Sequence, residues 1–289
     1  MNCTEVFNDH RNLLFSIAYR MLGLVMDAED MVQECFIKWN DACDDDVDSP
    51  KSFLATMVTR LCIDYLRSAR VKREEYIGQW LPEPIITDDE SPEKQITQTD
   101  HLSTAFMVML ERLSPIERAV FLLREVFDYE YAEIATIVDK SEANCRQILS
   151  RARQHIDEDQ ARYEPDLAVQ QQILDQFVQL ASTGDLEGLI ALLSEDIVVV
   201  SDGGGKAASA RRPIVGAKTV ARFFITVSQQ QLKLYKDPRL EFWHINGQLS
   251  IVFLSEDVVH IVMTAAYDAT GKIINLYSQL NPDKLRHLN

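Results

Sequence analysis

The chain has 289 residues, 46% of them hydrophobic and 26% charged, with a formal net charge of -16. This composition specifies a globular protein long enough for two or three domains, and it excludes a general nucleic-acid coat protein. It admits a DNA reader only if the positive charge is gathered into small patches. The five cysteines (Cys3, Cys35, Cys43, Cys62, Cys145) are odd in number, contain no CxxC pair and lie in the first half. Reduced thiols are therefore expected, with no disulfide frame, no zinc site and no cofactor. Neither a leading signal segment nor a bilayer-length apolar run is present, which gives a cytoplasmic location as the expectation.

From Thr4 to about Asn40 the pattern is helical. Phe7, Leu14, Ile17, Ala18 and Met21 make one amphipathic helix, ended by Gly23. In the next segment, Asp27 to Trp39, an apolar face of Ala28, Met31, Val32, Cys35, Phe36 and Trp39 backs a polar face of Asp27, Asp30, Gln33, Glu34 and Lys38. An acidic loop closes at Ser49-Pro50. Lys51 to Arg73 is then a long helix in which Arg60, Arg67, Arg70, Lys72 and Arg73 stand against the single acid Asp64. In so acidic a chain this local reversal of sign is informative. The following stretch, residues 77–100, carries Pro82, Pro84 and Pro92 and many acids, so it cannot be a continuous helix. Trp80-Leu81-Pro82-Glu83-Pro84 within it forms a stiff apolar plug that something should cover.

Residues 130–153 read as two short helices joined by a tight turn. Tyr131, Ile134, Ala135 and Val138 form the first stripe, Asp139-Lys140 breaks it, and Ser141 is a good N-cap for the second helix. Cys145, Ile148, Leu149 and Ala152 then point inward and leave Gln147, Ser150 and Gln154 facing out, with Arg146 and Arg151 on the flanks and Asn144 near the start. An apolar back with an amide, hydroxyl and guanidinium front suits a DNA major groove. The plain alternative is a helical hairpin with a solvated basic face.

After Glu164-Pro165 come two helices broken at Thr183-Gly184, a strand running into the glycine turn Asp202-Gly203-Gly204-Gly205-Lys206, a further helix, and hairpin strands with Asn246-Gly247 and Thr270-Gly271 as turns. Helices followed by a mostly antiparallel sheet is an α+β order. Asp202, His244 and His260 are the acid/base candidates in this part, although no two of them have a stated reason to be close. The glycine turn lacks P-loop spacing and reads as a place where another backbone approaches closely.

Three segments in this order, DAEDMVQECFIKW, TRLCIDYLRSARVKREEY and LSPIERAVFLLREVFDYEYAEIATIVDKSEANCRQILSRAR, resemble an extracytoplasmic-function sigma factor of RNA polymerase. The resemblance implies two all-α domains, region 2 at 1–76 and region 4 at 101–160, joined by the 77–100 linker. It implies that Asp27, Asp30, Gln33 and Glu34 dock on the polymerase clamp and that region 4 meets the flap. It further implies that Arg60, Arg67, Arg70 and Lys72 meet the −10 element, while Asn144, Arg146, Gln147, Ser150 and Arg151 meet the −35 element. The acidic loop at 41–48 departs from the family pattern. Residues 165–289 resemble the cone-shaped SnoaL-like fold related to nuclear transport factor 2, carried by a subgroup of these factors. WLPEP (Trp80 to Pro84), DGGGK (Asp202 to Lys206) and NPDKL (Asn281, Pro282, Asp283, Lys284, Leu285) look like that subgroup's three motifs and imply an internal regulatory contact. On this reading WLPEP packs over the glycine turn, with Lys206 free to pair with Glu83. The chain would be a monomer when free, would need core polymerase and promoter DNA but no membrane, and would have no catalytic residue. A small ligand in the C-terminal domain is a further expectation. The rival readings are a helix-turn-helix regulator with a ligand-sensing domain and a regulator fused to a SnoaL-like cyclase or isomerase.

Overall fold

The computed structural model describes residues 2–43, 47, 49–73, 76–87, 102–157 and 165–289, with side chains except at 69–73, 157 and 231–233. These residues divide into two units that do not follow chain order. The first comprises 2–73 with 102–157, and the second 76–87 with 165–289.

In the first unit, α1 (Cys3–Leu22), α2 (Val25–Ala42) and α3 (Pro50–Arg73) form one helical domain. Gly23 closes α1 in the left-handed conformation, φ 74°, where its N–H reaches the Tyr19 carbonyl. The apolar stripes meet as expected: Leu14, Ile17, Ala18 and Met21 of α1 are buried with Ala28, Val32, Cys35 and Trp39 of α2 and Leu54 and Val58 of α3. Because α1 and α2 run back past each other, the start of one lies beside the end of the other. That places Cys3 and Cys43 in a disulfide across 40 residues, which corrects the expectation that every thiol is free. Cys35, Cys62 and Cys145 are free and buried, and burial pushes the Cys35 thiol up to about 12.

The rest of this unit is α4 (Thr104–Leu110), α5 (Pro115–Glu125), α6 (Tyr131–Val138) and α7 (Glu142–Asp157). Ser114 and Glu117 cap α5 reciprocally, with Pro115 at its first turn. Asp139 ends α6 with φ 54°, and the Ser141 hydroxyl accepts from the Asn144 N–H to start α7. The turn therefore has the chemistry its residues predict.

In the second unit, α8 (Leu167–Thr183), α9 (Leu186–Leu192) and α10 (Ala217–Leu234) cover one face of a six-stranded sheet of order β2-β1-β6-β5-β4-β3. The strands are β1 (Leu193–Asp202), β2 (Ile214–Val215), β3 (Pro238–Ile245), β4 (Gln248–Ser255), β5 (Val258–Tyr267) and β6 (Ile273–Gln279). All neighbours are antiparallel except β1 and β6. Strand alternation gives the sheet two apolar faces. Leu249, Ile251, Met263 and Ala265 pack with the helices. Ile245, Val252, Leu254 and Val262 form a second cluster with Ile86, Leu285 and Leu288. Two short elements, residues 76–87 and the terminal α11 (Pro282–Leu285), thus make a third layer. This is an α+β architecture, helices on one face and a strap on the other.

Candidate nucleic-acid interface and the strap site

On α7 the exposed residues are Arg146, Gln147, Ser150, Arg151 and Gln154, and the inward ones are Cys145, Ile148, Leu149 and Ala152. Asn144 is half-buried at the first turn. Arg146 already has local partners, a Glu142 carboxylate at 2.9 Å and the Tyr131 ring at 4.6 Å from its guanidinium carbon. These hold it in an extended pose on the surface and cost little to exchange, because exposed pairs contribute only about 0–1 kcal/mol.

The basic residues of α3 divide. Arg67 is exposed and pairs with Asp64 at 3.3 Å. Arg60 is spent inside the unit: its Nε donates to the Ile137 carbonyl at 2.9 Å and its Nη2 to the Thr136 carbonyl at 2.7 Å. Those carbonyls end α6, so a guanidinium there meets the negative pole of a helix. The side chains of Arg70 and Lys72 lie outside the described residues. A second contact, not read from sequence, joins α5 to α1: the buried Arg118 donates to the Met21 carbonyl at 2.6 Å and to Glu111 at 2.7 Å. A buried arginine in a chain of amphipathic helices was the available signal, since such a cation must be paired.

On α2, Asp27 accepts from the Tyr65 hydroxyl at 2.7 Å, and Glu34 pairs with Lys38 at 2.8 Å. Asp30 and Gln33 are exposed, and so are Met26 and Ile37, at 72% and 62%. Positions 26, 30, 33 and 37 share one helix face.

In the second unit, the three motifs meet around one buried ion pair. Asp202, fully enclosed at the end of β1, accepts from the Lys284 ammonium at 2.8 Å, the Leu81 N–H at 3.0 Å and the Tyr76 hydroxyl at 2.6 Å. Lys284 also donates to the Leu81 carbonyl at 2.6 Å and lies under the Trp80 ring at 4.4 Å. Gln279 reaches the Leu81 and Pro82 carbonyls. Burial and the hydrogen bond to Asp202 raise the Tyr76 phenol above its ordinary range.

Further along, Ile85 and Asn246 exchange hydrogen bonds, and Ile86 bridges to Ile245 at the Asn246-Gly247 turn. Two expected details are corrected. Lys206 pairs with Asp283, and Glu83 with His287 at 2.9 Å, because Glu83 faces the terminal turn and not the glycine loop. What fills the glycine loop is Asn281 and Ile77, not the proline turn. A Cβ on Gly204, φ +58°, would lie 2.2 Å from Asn281 Nδ2. Asp202 is thus committed to the strap. His260 packs beside Tyr235 and Phe253, and the His244 carbonyl serves Thr87.

A helical domain with an exposed docking face and a helix-turn-helix with a polar reading face together define a transcription initiation factor of the sigma-70 class. Sigma-70 region 2 matches residues 6–71, and Sigma-70, region 4 matches residues 103–156. The chain is 35% identical to the ECF RNA polymerase sigma factor SigJ of Mycobacterium tuberculosis, over 96% of this chain and 91% of that protein. It is 35% identical to the probable ECF RNA polymerase sigma factor SigI of the same species, over 65% of this chain and 66% of that one. The crystal structure of Mycobacterium tuberculosis SigJ matches with a TM-score of 0.80 at 30% identity, covering 98% of each chain. The chain belongs to the extracytoplasmic-function sigma factors of RNA polymerase, in the form that carries a C-terminal SnoaL-like domain. Members of this family direct transcription initiation and are not enzymes; the polymerase does the chemistry. Among the described residues no helix is long and apolar enough to cross a membrane.

Proposed function

We propose that α7 reads the −35 element, the basic face of α3 the −10 element, and the face of α2 around Asp30 and Gln33 the polymerase clamp, with region 4 at the flap. The observation that carries this reading is the outward set on α7, Arg146, Gln147, Ser150 and Arg151, placed on the second helix of a correctly capped helix-turn-helix. Guanidinium and amide groups there fit base edges and phosphates. We further infer that the free protein is closed. Arg60 cannot serve the −10 element while it serves the α6 carbonyls, so binding to core polymerase must part α3 from α6. The C-terminal domain tunes this process through the strap, which tethers the end of region 2 to its sheet.

Run-off transcription with purified core polymerase tests the reading. Arg146→Ala and Arg151→Ala should each lower use of a −35-dependent promoter by roughly five- to a hundredfold, the range for losing a good base contact worth about 1–3 kcal/mol. Association with core should stay at the wild-type level. Unchanged promoter selectivity in both variants would refute the assignment of α7.

A further inference from the structure

Between α8, α10 and the helix-covered face of the sheet lies a cavity of about 630 Å³. That is within the roughly 300–1,000 Å³ of small-molecule sites. Its wall is mainly aromatic and aliphatic, with Phe177, Phe223, Phe224, Phe253 and Met263 prominent. The polar part consists of serine hydroxyls and one cation, Arg239, at the rim. Among the described lining residues there is no carboxylate, histidine, cysteine or lysine. Asp202 is turned to the opposite face of the sheet, in its ion pair with Lys284, and His260 is not part of the wall. Proton transfer needs a titratable group within hydrogen-bond reach of the reacting atom. This wall supplies none, so the cavity is built to hold a molecule and not to convert one.

The rim sets the charge of that molecule. Arg239 is surrounded by Asp257, by Asp237 at 3.7 Å and by Glu241 at 3.8 Å. One guanidinium facing three carboxylates leaves a net negative rim, which disfavours an anionic head group. Yet the Nε–H of Arg239 is enclosed and has no hydrogen-bond acceptor among the described residues. An enclosed donor without a partner is costly, and a neutral oxygen on a ligand would satisfy it. Leu240 beside it is 47% exposed and extends the apolar surface outward.

We propose that this cavity is a receptor site for an uncharged, largely apolar small molecule carrying one oxygen acceptor, bound and released unchanged. Its output is also placed. Ser201 and Ser278 line the cavity, while Asp202 and Gln279, the next residues on the same strands, hold the strap from the other face. Binding stands on the cavity alone; its effect on transcription rests on the regulatory reading above.

The full chain titrated with Nile red, a neutral dye with a ring carbonyl, should give a saturable one-to-one blue shift. The anionic 11-(dansylamino)undecanoate should bind at least tenfold more weakly. Val227→Trp and Ser278→Phe, which fill the cavity, should abolish Nile red binding with the fold kept by circular dichroism. Arg239→Met should weaken it about three- to tenfold. Unchanged Nile red affinity in a folded filling variant, or equal affinity for the anion, would overturn the proposal. If both filling variants misfold, the exposed-rim variant decides: an unaltered affinity in Arg239→Met overturns it and the stated loss upholds it. Run-off transcription with saturating dye separates the two claims, because unaltered output would sink the regulatory link and leave the binding site standing.

Discussion

The Lys284 ammonium serves the Asp202 carboxylate, the Leu81 carbonyl and the faces of Trp80 and Tyr76 at once. With both members of the ion pair enclosed, removing one would strand the other, a loss of about 3–5 kcal/mol in comparable buried pairs. Nearby, His287 has an acceptor at each ring nitrogen, Glu83 at Nδ1 (2.9 Å) and the Pro84 carbonyl at Nε2 (2.6 Å). A carbonyl cannot donate, so both nitrogens carry hydrogen and the ring is an imidazolium. Burial pulls its pKa down, but the bonds to Glu83 and Pro84 and the Glu83 charge outweigh this and raise it above 6.5. A group raised on folding gives its full stabilisation below the unfolded value and loses it as pH climbs through the folded one. The strap should therefore be held best below about pH 6.5. The measurement is the difference in unfolding midpoint between the wild type and His287→Gln, followed from pH 5.5 upward, with both pH points chosen as roughly one unit either side of the ordinary histidine range. It should shrink as pH rises, and a constant difference would show that His287 is not charged here.

At the scale of elements, α2 shows how an unpartnered face announces a partner. Met26 and Ile37 are large apolar residues left in solvent on the face that carries Asp30 and Gln33. The fold of its own unit does not need them, since Ala28, Met31, Val32, Cys35 and Trp39 already anchor the helix. Reversing charge with Asp30→Lys and Glu34→Lys should cut association with core polymerase by at least about tenfold, the equivalent of roughly 1.4 kcal/mol. Helicity should not change, and co-purification at the wild-type level would assign this face to something else.

The helices themselves were legible from period and caps, and so was the Asn246-Gly247 hairpin, whose residues tolerate positive φ. The β4–β5 turn was not: Glu256 and Asp257 adopt φ 50° and 64° without the usual glycine, held there by the strands on either side. The Cys3–Cys43 pairing and the Arg60 contacts were likewise invisible, because each depends on two helices meeting in space. Of the strap site, the three motifs were readable as motifs and their convergence as an expectation. The partners were not, since a lysine in NPDKL gives no sign that it will be buried beside Asp202.

At the scale of the whole molecule, the strap crosses between units. Residues 76–87 follow region 2 in sequence but pack with residues 165–289, while 102–157 return to pack with 2–73. The chain therefore changes allegiance three times, and each unit is assembled from two separate stretches of it. One consequence is that the protein is a natural split system. A single cut between Thr87 and Leu102 gives two polypeptides, 1–87 and 102–289, and each carries one half of both units. Leu81, Glu83 and Ile85 on the first piece keep their partners Asp202, His287 and Asn246 on the second, and Arg60 keeps the α6 carbonyls. With a protease site engineered into that stretch, the cleaved protein should run as two bands in denaturing gels yet elute as one species on gel filtration. Pieces that separate without denaturant would mean that the backbone, and not the strap, holds the halves together.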